Sequence, residues 1–274
     1  MALPREVLLR IICFDVELVP VFFPRCSVDH NMMKDIVQRN GLALWYGSAR
    51  VRADREVVLE AVKQHGWAFR YAAEELHVNR DIVLEAVKTY SKCLQHERAW
   101  ERFHDDKEAV LAAVKNNGGA LLYASMKLRA DRQVVCDAVQ QCGRALRFAE
   151  DELRGDASVV WEAVLQQGDA SQHATLAVRN NPTVVTTAVR GDGLALQYAH
   201  PDVKGNRIVV LHAVTRDGLA LAFASPELRA DREVVLTAVR QHPGAYNFVA
   251  GQARFDPEVM REAGIQYIEL IFNR

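Results

Sequence analysis

The sequence lacks a charge imbalance that would select a class of partner. Its 274 residues carry 34 Lys and Arg against 35 Asp and Glu, which gives a formal net charge of -1 at pH 7. This balance provides no overall attraction to nucleic acid or to an anionic membrane, so binding of that kind would need a local basic patch. With 50% hydrophobic and 25% charged residues, the chain has the composition of a folded globular protein.

The cysteines show neither a disulfide framework nor a metal site. The chain has an odd number of them, no Cys-x-x-Cys pair, and no histidine at a zinc-like spacing from any of them. The five are Cys13, Cys26, Cys93, Cys136 and Cys142. We therefore predict reduced thiols, a cytoplasmic protein and no metal.

Long hydrophobic runs are also missing. The apolar start VLLRIICFDVELVPVFF is interrupted by Arg10, Asp15 and Glu17, and no small-residue cleavage site follows it. No run approaches the roughly 18 apolar residues that a transmembrane helix needs. The sequence predicts an uncleaved protein without a membrane span.

Catalytic motifs are absent as well. The chain has no Gly-rich phosphate loop, no His-Glu-x-x-His and no Gly-x-Ser-x-Gly. Its many carboxylates are explained by helix capping or by a solvated helix face. We expect a protein that is not an enzyme and binds no cofactor.

What the sequence does contain is a repeat. The phrase VRADREVVLEAVKQH, which begins at Val51, returns as LRADREVVLTAVRQH from Leu228 to His242. The Ala-Val pair within it recurs every 25 residues, with one two-residue insertion between Val87 and Ala113. Ten repeats therefore occupy residues 27–274, behind a terminal segment of residues 1–26.

Each repeat begins with a helix N-cap signal. Seven residues before each Ala-Val pair stands an Asp or Asn, whose side chain accepts hydrogen bonds from the first helical turn. The ten residues are Asp29, Asp54, Asn79, Asp106, Asp131, Asp156, Asn181, Asn206, Asp231 and Asp256. Pro182 and Pro257 directly follow their caps, where proline is tolerated.

A glycine follows most of these helices. Gly66 is four residues after Val62, and the spacing predicts a left-handed C-cap there. Between cap and glycine, an apolar stripe at helical spacing predicts a face packed on a core. In the second repeat it consists of Val57, Val58, Ala61 and Val62.

A second, shorter helical pattern follows the glycine, with small, large and aromatic columns that we predict to be core. The aromatic column is Tyr46, Tyr71, Tyr123, Phe148, Tyr198, Phe223 and Phe248, interrupted by His96 and His173. A 25-residue helical hairpin has too few apolar side chains to offset the entropy of ordering it alone. The repeats must therefore stack, which predicts an all-α solenoid of about ten helical hairpins.

The repeated string Leu-Arg-x-Asp-Arg-Glu-Val-Val-Leu-x-Ala-Val, followed by glycine and x-Ala-Leu-x-Tyr-Ala, resembles the repeat family called domain of unknown function 4116. The segments Leu128 to Ala149 and Val203 to Ala224 carry it most clearly. The resemblance implies the repeat architecture. That family has no established activity, so the resemblance implies no catalytic residue.

The first residues differ from the repeats. LPREVLLRIICF, from Leu3 to Phe14, resembles the start of an F-box, a helical module that docks onto a linker subunit of cullin-type ubiquitin ligases. The resemblance implies a docking face made of Leu3, Pro4, Val7, Leu8 and Ile11. The alternative is a capping helix that covers the exposed end of the first repeat.

Two basic columns occupy the predicted loops between repeats. One lies two residues before the caps and consists of Arg52, His77, His104, Arg129, Arg154, Arg179, Lys204, Arg229 and Arg254. The other directly follows the caps and consists of Arg55, Arg80, Lys107, Arg132, Arg207 and Arg232. They are either a surface for an acidic partner or anion, or a ladder that pairs each cation with carboxylates and helix-end carbonyls of a neighbouring repeat.

Three features depart from the repeat. His96 and His173 replace aromatic residues, either as pH-responsive or ligand-binding groups or as tolerated substitutes. The insertion around Trp100 and Phe103 is either a bulge that binds a partner or an inert loop. The apolar C-terminal IQYIELIF either seals the last repeat or contacts another chain.

The sequence thus predicts a noncatalytic scaffold that binds another protein, in its specific form the substrate-recruiting adaptor of a cullin-type ubiquitin ligase. The alternative is a structural subunit built permanently into a larger assembly. A weaker alternative is binding of nucleic acid or another anion along the basic edge.

Overall fold

The computed structural model describes residues 30–265, and all regular secondary structure within this range is helical. The chain divides into two compact units, with residues up to Leu128 in unit 1 and residues from Arg129 in unit 2. Within each unit the helices of successive repeats pack side by side. The predicted all-α repeat fold is confirmed.

Each repeat begins with an α-helix, which we call its core helix. The core helices of unit 1 are His30–Arg39, Arg55–Gln64, Arg80–Val87 and Lys107–Asn116. Those of unit 2 are Arg132–Gln141, Ala157–Gln166, Pro182–Gly191, Arg207–Arg216, Arg232–Gln241 and Pro257–Glu262. Their ten occurrences in the described range match the ten predicted repeats.

The predicted N-caps are confirmed for all nine that lie in the described range. Asp54, for example, accepts hydrogen bonds from the backbone N–H groups of Glu56 at 2.9 Å and Val57 at 3.2 Å. Pro182 and Pro257 occupy first-turn positions of their helices. Each core helix after the first described one thus starts at a residue chosen by local chemistry.

The apolar stripe of the core helices forms the interior. Val57, Val58, Ala61 and Val62 are all at most 1% exposed, and the equivalent side chains are buried in every described repeat between the first and the last. Successive core helices contact one another and also the segments that follow them in the chain. The interior of each unit therefore lies between a row of core helices and a second row of helical segments.

The second row consists of 3₁₀ helices rather than α-helices. They are Gly41–Tyr46, Gly66–Tyr71, Ser91–Gln95 and Gly118–Tyr123 in unit 1, and Gly143–Phe148, Gly168–His173, Gly193–Tyr198, Gly218–Phe223 and Pro243–Phe248 in unit 2. Each packs on its own core helix and also against a neighbouring repeat. The helix Gly143–Phe148, for instance, contacts Arg132–Gln141 and also Ala157–Gln166. This double contact is how one repeat stacks on the next.

The prediction that the recurrent glycines are left-handed C-caps is wrong. In the described range, only Gly251 and Gly264 have positive φ, and neither belongs to that column. Glycine is needed in the column because the neighbouring repeat comes too close: a Cβ at Gly193 would lie 2.6 Å from the carbonyl oxygen of Ala213. The glycine therefore allows repeats to approach, rather than allowing the chain to turn.

A third short element, the linking segment, completes each repeat and was not predicted. In unit 1 these segments are Ala49–Arg52, Glu74–Val78, Glu97–Phe103 and, at the unit boundary, Met126–Arg129. In unit 2 they are Asp151–Arg154, Leu176–Arg179, Pro201–Lys204, Leu228–Ala230 and Gly251–Phe255.

Backbone hydrogen bonds join most linking segments to the following repeat. The N–H of Ala73 donates to the carbonyl of Arg52 at 2.8 Å, and the N–H of Thr175 donates to the carbonyl of Arg154 at 3.0 Å. The same bond recurs 21 residues after other members of the first basic column, including Lys204. The first basic column therefore lies where consecutive repeats are connected, both by the chain itself and by a backbone hydrogen bond.

The two-residue insertion lengthens a linking segment and leaves the repeat intact. The segment Glu97–Phe103 has seven residues, where most linking segments have four. Phe103 is buried at the position occupied by Leu128 and Leu153 in later repeats, whereas Trp100 is exposed. The inserted residues are thus absorbed as additional helix rather than as a loop, and partner binding by this segment stays a prediction.

Candidate functional site

The first basic column is placed at the joints between repeats and is only partly accessible. His77 is buried and Arg254 is exposed. The other seven are half-buried: Arg52, His104, Arg129, Arg154, Arg179, Lys204 and Arg229. The column is thus not a uniformly exposed row of positive charge.

Several of these side chains contact carboxylate or carbonyl oxygens. The guanidinium of Arg129 lies 3.2 Å from the carboxylate of Glu150, and the ammonium of Lys204 donates to the carbonyl of Gln197 at 2.7 Å. Arg179 donates to the carbonyl of Tyr198 at 3.5 Å. Burial lowers the pKa of Lys204, and the nearby positive charge of Arg179 lowers it further. These contacts favour the ladder for these residues, while anion binding by the column stays a prediction.

The second basic column forms a ladder of ion pairs between consecutive core helices. Arg80 pairs with Asp106 at 3.1 Å and with Glu108, so one guanidinium contacts both the N-cap and the first turn of the next core helix. Arg207 and Arg232 repeat the arrangement in two consecutive repeats of unit 2. Because the carboxylates also cap helices, this column has a structural use that needs no ligand.

The ladder shifts the ionisation of its members. Hydrogen bonds from Arg132 and from the Ser158 hydroxyl hold the pKa of Asp156 well below its usual range, despite the opposing effect of burial. Arg132 and Asp156 lie 2.5 Å apart. The cap carboxylate is therefore negatively charged across the physiological pH range, where it suits the positive end of the helix dipole.

The prediction that the aromatic column belongs to the core is wrong. All of its described members, from Tyr46 to Phe248, are half-buried, whereas the small and large columns beside them, such as Ala68 and Phe69, are buried. Trp45 and Trp67 lie on the same 3₁₀ helices, and Trp100 lies on the lengthened linking segment; their exposed fractions are 46%, 42% and 46%. The 3₁₀ row of unit 1 therefore presents aromatic side chains to solvent.

A groove of about 430 Å³ lies on this aromatic surface in unit 1. We call it the tryptophan groove. Its lining residues are Trp67, Phe69, Arg70, Tyr90, Lys92, Cys93, Gln95 and His96. They come from the 3₁₀ helix Gly66–Tyr71 and from the following 3₁₀ helix with its flanking residues. The lining contains three side chains that can carry positive charge and no carboxylate.

The two histidines that interrupt the aromatic column, His96 and His173, have different surroundings. The rings of His96 and His77 lie 3.8 Å apart, next to Phe69, and the Nε2 of His77 donates to the carbonyl of Phe69 at 2.9 Å. Burial is the main cause that lowers the pKa of His77, and the same cause lowers the pKa of His173. Both interpretations of His96 and His173, as responsive groups or as tolerated substitutes, stay predictions.

The cysteines in the described range are free thiols, as predicted: Cys93, Cys136 and Cys142. Burial raises the pKa of the Cys93 thiol to about 12, so it is protonated and unreactive at neutral pH. Within residues 30–265, no three His, Cys, Asp or Glu side chains form a group that could hold a metal ion. None of the helices in that range has the length and apolar character needed to cross a bilayer.

Several predicted features lie outside the described residues. They are the F-box-like face of Leu3, Pro4, Val7, Leu8 and Ile11, the cap Asp29, the cysteines Cys13 and Cys26, and the C-terminal segment after Ile265. The boundary predicted between residues 26 and 27 also lies there. Each of these stays a prediction.

Sequence reasoning missed the tryptophan groove, although a signal for it exists. Trp67 directly follows the recurrent glycine, a column that holds Leu42, Gly119 and Arg144 in other repeats. A large aromatic side chain at a position that elsewhere holds leucine, glycine or arginine cannot be required by the core. That inconsistency within the column would have indicated a surface feature specific to these repeats.

Comparison with known proteins yields a family and nothing more specific. A domain of unknown function, DUF4116, matches residues 29–77, 54–98, 79–129, 106–154 and 206–250, which together make up more than half of the chain. Each match begins at an N-cap of the repeat and spans about two repeats. No curated protein and no solved structure matches the chain. This chain therefore belongs to the DUF4116 repeat family.

Proposed function

We propose that this protein is a noncatalytic scaffold whose stacked repeats bind another protein. The observation that carries the proposal is the set of exposed tryptophans in unit 1, Trp45, Trp67 and Trp100, above an interior whose apolar side chains are almost fully buried. Because this interior is closely packed, the tryptophans are not exposed as a result of a poorly formed core. Tryptophan is among the residues most enriched at protein interfaces, where it contributes a large share of the binding free energy.

The exposed rings are held in place before any partner arrives. Trp45 packs edge-on against Tyr71 with ring centroids 5.0 Å apart, Trp67 packs against Tyr90 at 4.8 Å, and Trp100 stacks on His104 at 4.6 Å. A side chain that is already ordered loses less conformational entropy when it binds. This preorganisation supports a binding surface rather than a set of unconstrained surface residues.

The proposal is tested by capturing partners from an extract of the cells that make the protein, with quantitative crosslinking and mass spectrometry. We expect a stoichiometric protein partner whose affinity for the Trp45→Ser/Trp67→Ser variant is at least about 30-fold weaker, because the loss of a single interface hot spot already has an effect of that size. Trp161→Ser is the matched control, because Trp161 is similarly exposed but lies on a core helix of unit 2. Full retention of every partner by the double variant would contradict the proposal.

The more specific form of the proposal is an adaptor that recruits substrates to a cullin-type ubiquitin ligase. Its support is the F-box-like resemblance of Leu3 to Phe14. Leu8→Asp should abolish recovery of the ligase linker subunit without affecting a partner bound through the tryptophans. A fixed stoichiometric complex that is insensitive to Leu8→Asp would instead favour the structural subunit of a larger assembly.

A further inference from the structure

From the tryptophan groove we infer that this site binds an acidic peptide segment, with its carboxylates on Arg70 and Lys92 and an apolar side chain against Trp67 and Tyr90. This inference rests on the proposed function and specifies the chemistry of the partner. It concerns unit 1 alone, since all lining residues lie between Trp67 and His96.

The first argument is charge. Arg70 and Lys92 are exposed, and neither forms a salt bridge with an acidic residue in the described range. Seven other basic side chains of unit 1 do form one: Lys34, Arg55, Lys63, Arg80, Lys88, Arg98 and Lys127. A groove with two unpaired cations and no carboxylate in its lining is complementary to carboxylates supplied by a partner.

The second argument is the shape and polarity of the walls. Trp67 and Tyr90 form one continuous aromatic wall, with Cys93 buried and His96 half-buried beside them. The groove volume of about 430 Å³ lies within the range of known ligand clefts, roughly 300–1,000 Å³. Such a wall fits an apolar side chain, while the cations at its rim fit carboxylates one or two residues away in an extended peptide.

The third argument separates a peptide from a nucleic acid. A nucleobase stacks on a free aromatic face, but the guanidinium of Arg70 lies 4.8 Å from the ring centroid of Trp67, and Tyr90 contacts the same ring. The ring is therefore already engaged by two neighbours and offers no whole free face to a base, whereas an apolar side chain needs only the exposed part of Trp67, which is 42% of its surface. Two local cations on a chain of nearly zero net charge also provide little attraction for a phosphate backbone.

The test selects binders from a random phage-displayed peptide library on the full-length protein. We expect selected peptides to be enriched in Asp and Glu around an apolar residue. A synthetic peptide from this pool, measured by fluorescence anisotropy, should bind the Arg70→Glu/Lys92→Glu variant about tenfold more weakly or worse, and its affinity should fall with added salt. Arg39→Glu/Arg102→Glu is the charge-matched control, because both arginines are exposed and outside the groove; it should bind like the wild-type protein.

Circular dichroism melting shows whether the groove variant is folded, and the milder Arg70→Gln/Lys92→Gln variant replaces it if it is not. Selected peptides without acidic enrichment, or equal affinity for the groove variant and the wild type, would overturn the inference. So would salt-sensitive binding of an oligouridylate probe that depends on Arg70 and Lys92 while acidic peptides do not bind. If a cellular partner depends on Trp45 and Trp67 but not on these cations, the proposed function stands and the groove inference fails.

Discussion

At the scale of single residues, the distance between repeats is controlled by the side chains that are smallest. The recurrent glycine lies against the carbonyl of an alanine in the adjacent core helix, as Gly193 does against Ala213. The small column of the following 3₁₀ helices is buried throughout the described range, from Ala43 to Ala245. Since protein interiors are close-packed, these positions have no room for an additional carbon.

Gly193→Ala should therefore destabilise the protein by about 1–3 kcal/mol, the usual cost of forcing an extra methyl group into a packed site. The contacted atom belongs to the backbone of Ala213 and cannot move aside as a flexible side chain would. Urea denaturation followed by circular dichroism measures the change. Gly205→Ala is the control, because a Cβ there would lie 3.4 Å from its nearest neighbour. Equal effects of the two substitutions would refute the close-approach explanation.

The cap carboxylates also contribute to the free energy of unfolding, and their contribution depends on pH. The native pKa of Asp156 lies below the value of about 3.9 expected in the unfolded chain. Its ionisation therefore stabilises the fold fully above about pH 4, and this stabilisation is lost as the pH falls toward the native pKa.

Asp156→Asn keeps a capping oxygen but removes the charge that Arg132 contacts. We expect the free energy of unfolding to fall by about 0.5 kcal/mol at pH 7, which is typical of an exposed ion pair. This difference from the wild type should become smaller below about pH 4. Urea titrations between pH 7 and pH 2.5 measure it. In the Arg132→Ala background the same substitution should cost less, and a gap that is independent of both pH and Arg132 would argue against the ladder.

At the scale of secondary structure, none of the helices between residues 30 and 265 is long enough to be stable alone. Core helices of about ten residues and 3₁₀ helices of about six have few internal hydrogen bonds, and isolated helices of this length are marginal in water. They persist because both rows bury apolar side chains against the neighbouring repeat. Length can therefore vary where burial is maintained, as in the segment Glu97–Phe103.

Phe103 and Trp100 lie on the same segment but differ in burial, so their substitutions show how much stability depends on burial. Phe103→Ala should cost about 3–5 kcal/mol, because Phe103 is only 4% exposed and occupies the position of Leu128 and Leu153. Trp100→Ala should cost less than about 1 kcal/mol. Thermal and urea unfolding compare the two variants. The opposite order would mean that the insertion has shifted the register.

At the scale of the whole molecule, each repeat is stabilised by its neighbours in the chain. Within unit 2, contacts between core helices join consecutive repeats, such as Ala157–Gln166 with Pro182–Gly191. The stability of such an array is approximately a sum of repeat terms and nearest-neighbour interface terms. One complete repeat should therefore be removable without loss of the fold.

Deletion of residues 182–206 joins Asn181 directly to Arg207, so the next core helix keeps an asparagine cap and the stack keeps its period. We expect this variant to retain the wild-type helical signal per residue and to melt cooperatively. Deletion of residues 182–193 removes about half a repeat and should abolish folding, because the core helix Pro182–Gly191 is lost and the 3₁₀ helix that packs on it loses its partner. Circular dichroism and size-exclusion chromatography distinguish the two, and an unfolded complete-repeat deletion would rule out the nearest-neighbour description.

The sequence alone determined the number of repeats, the position of every core-helix start in the described range and the buried face of those helices. Each of these follows from local rules: an Asp or Asn caps the N–H groups next to it, and apolar periodicity is recognised within a single helix. In any chain with this pattern, Asp54 would mark the start of a helix and Val57 would mark its buried face.

Only the tertiary structure decided why the glycines recur, that the second segment is a 3₁₀ helix, that the aromatic column is half-exposed, and that Trp67, Arg70 and Lys92 share a groove. These properties depend on distances between atoms about 25 residues apart in the chain. Gly193 is glycine because of Ala213, and Trp67 forms a wall because of Tyr90 in the next repeat. Local pattern identifies which residues begin and line an element, whereas packing between repeats determines which side chains remain available to a partner.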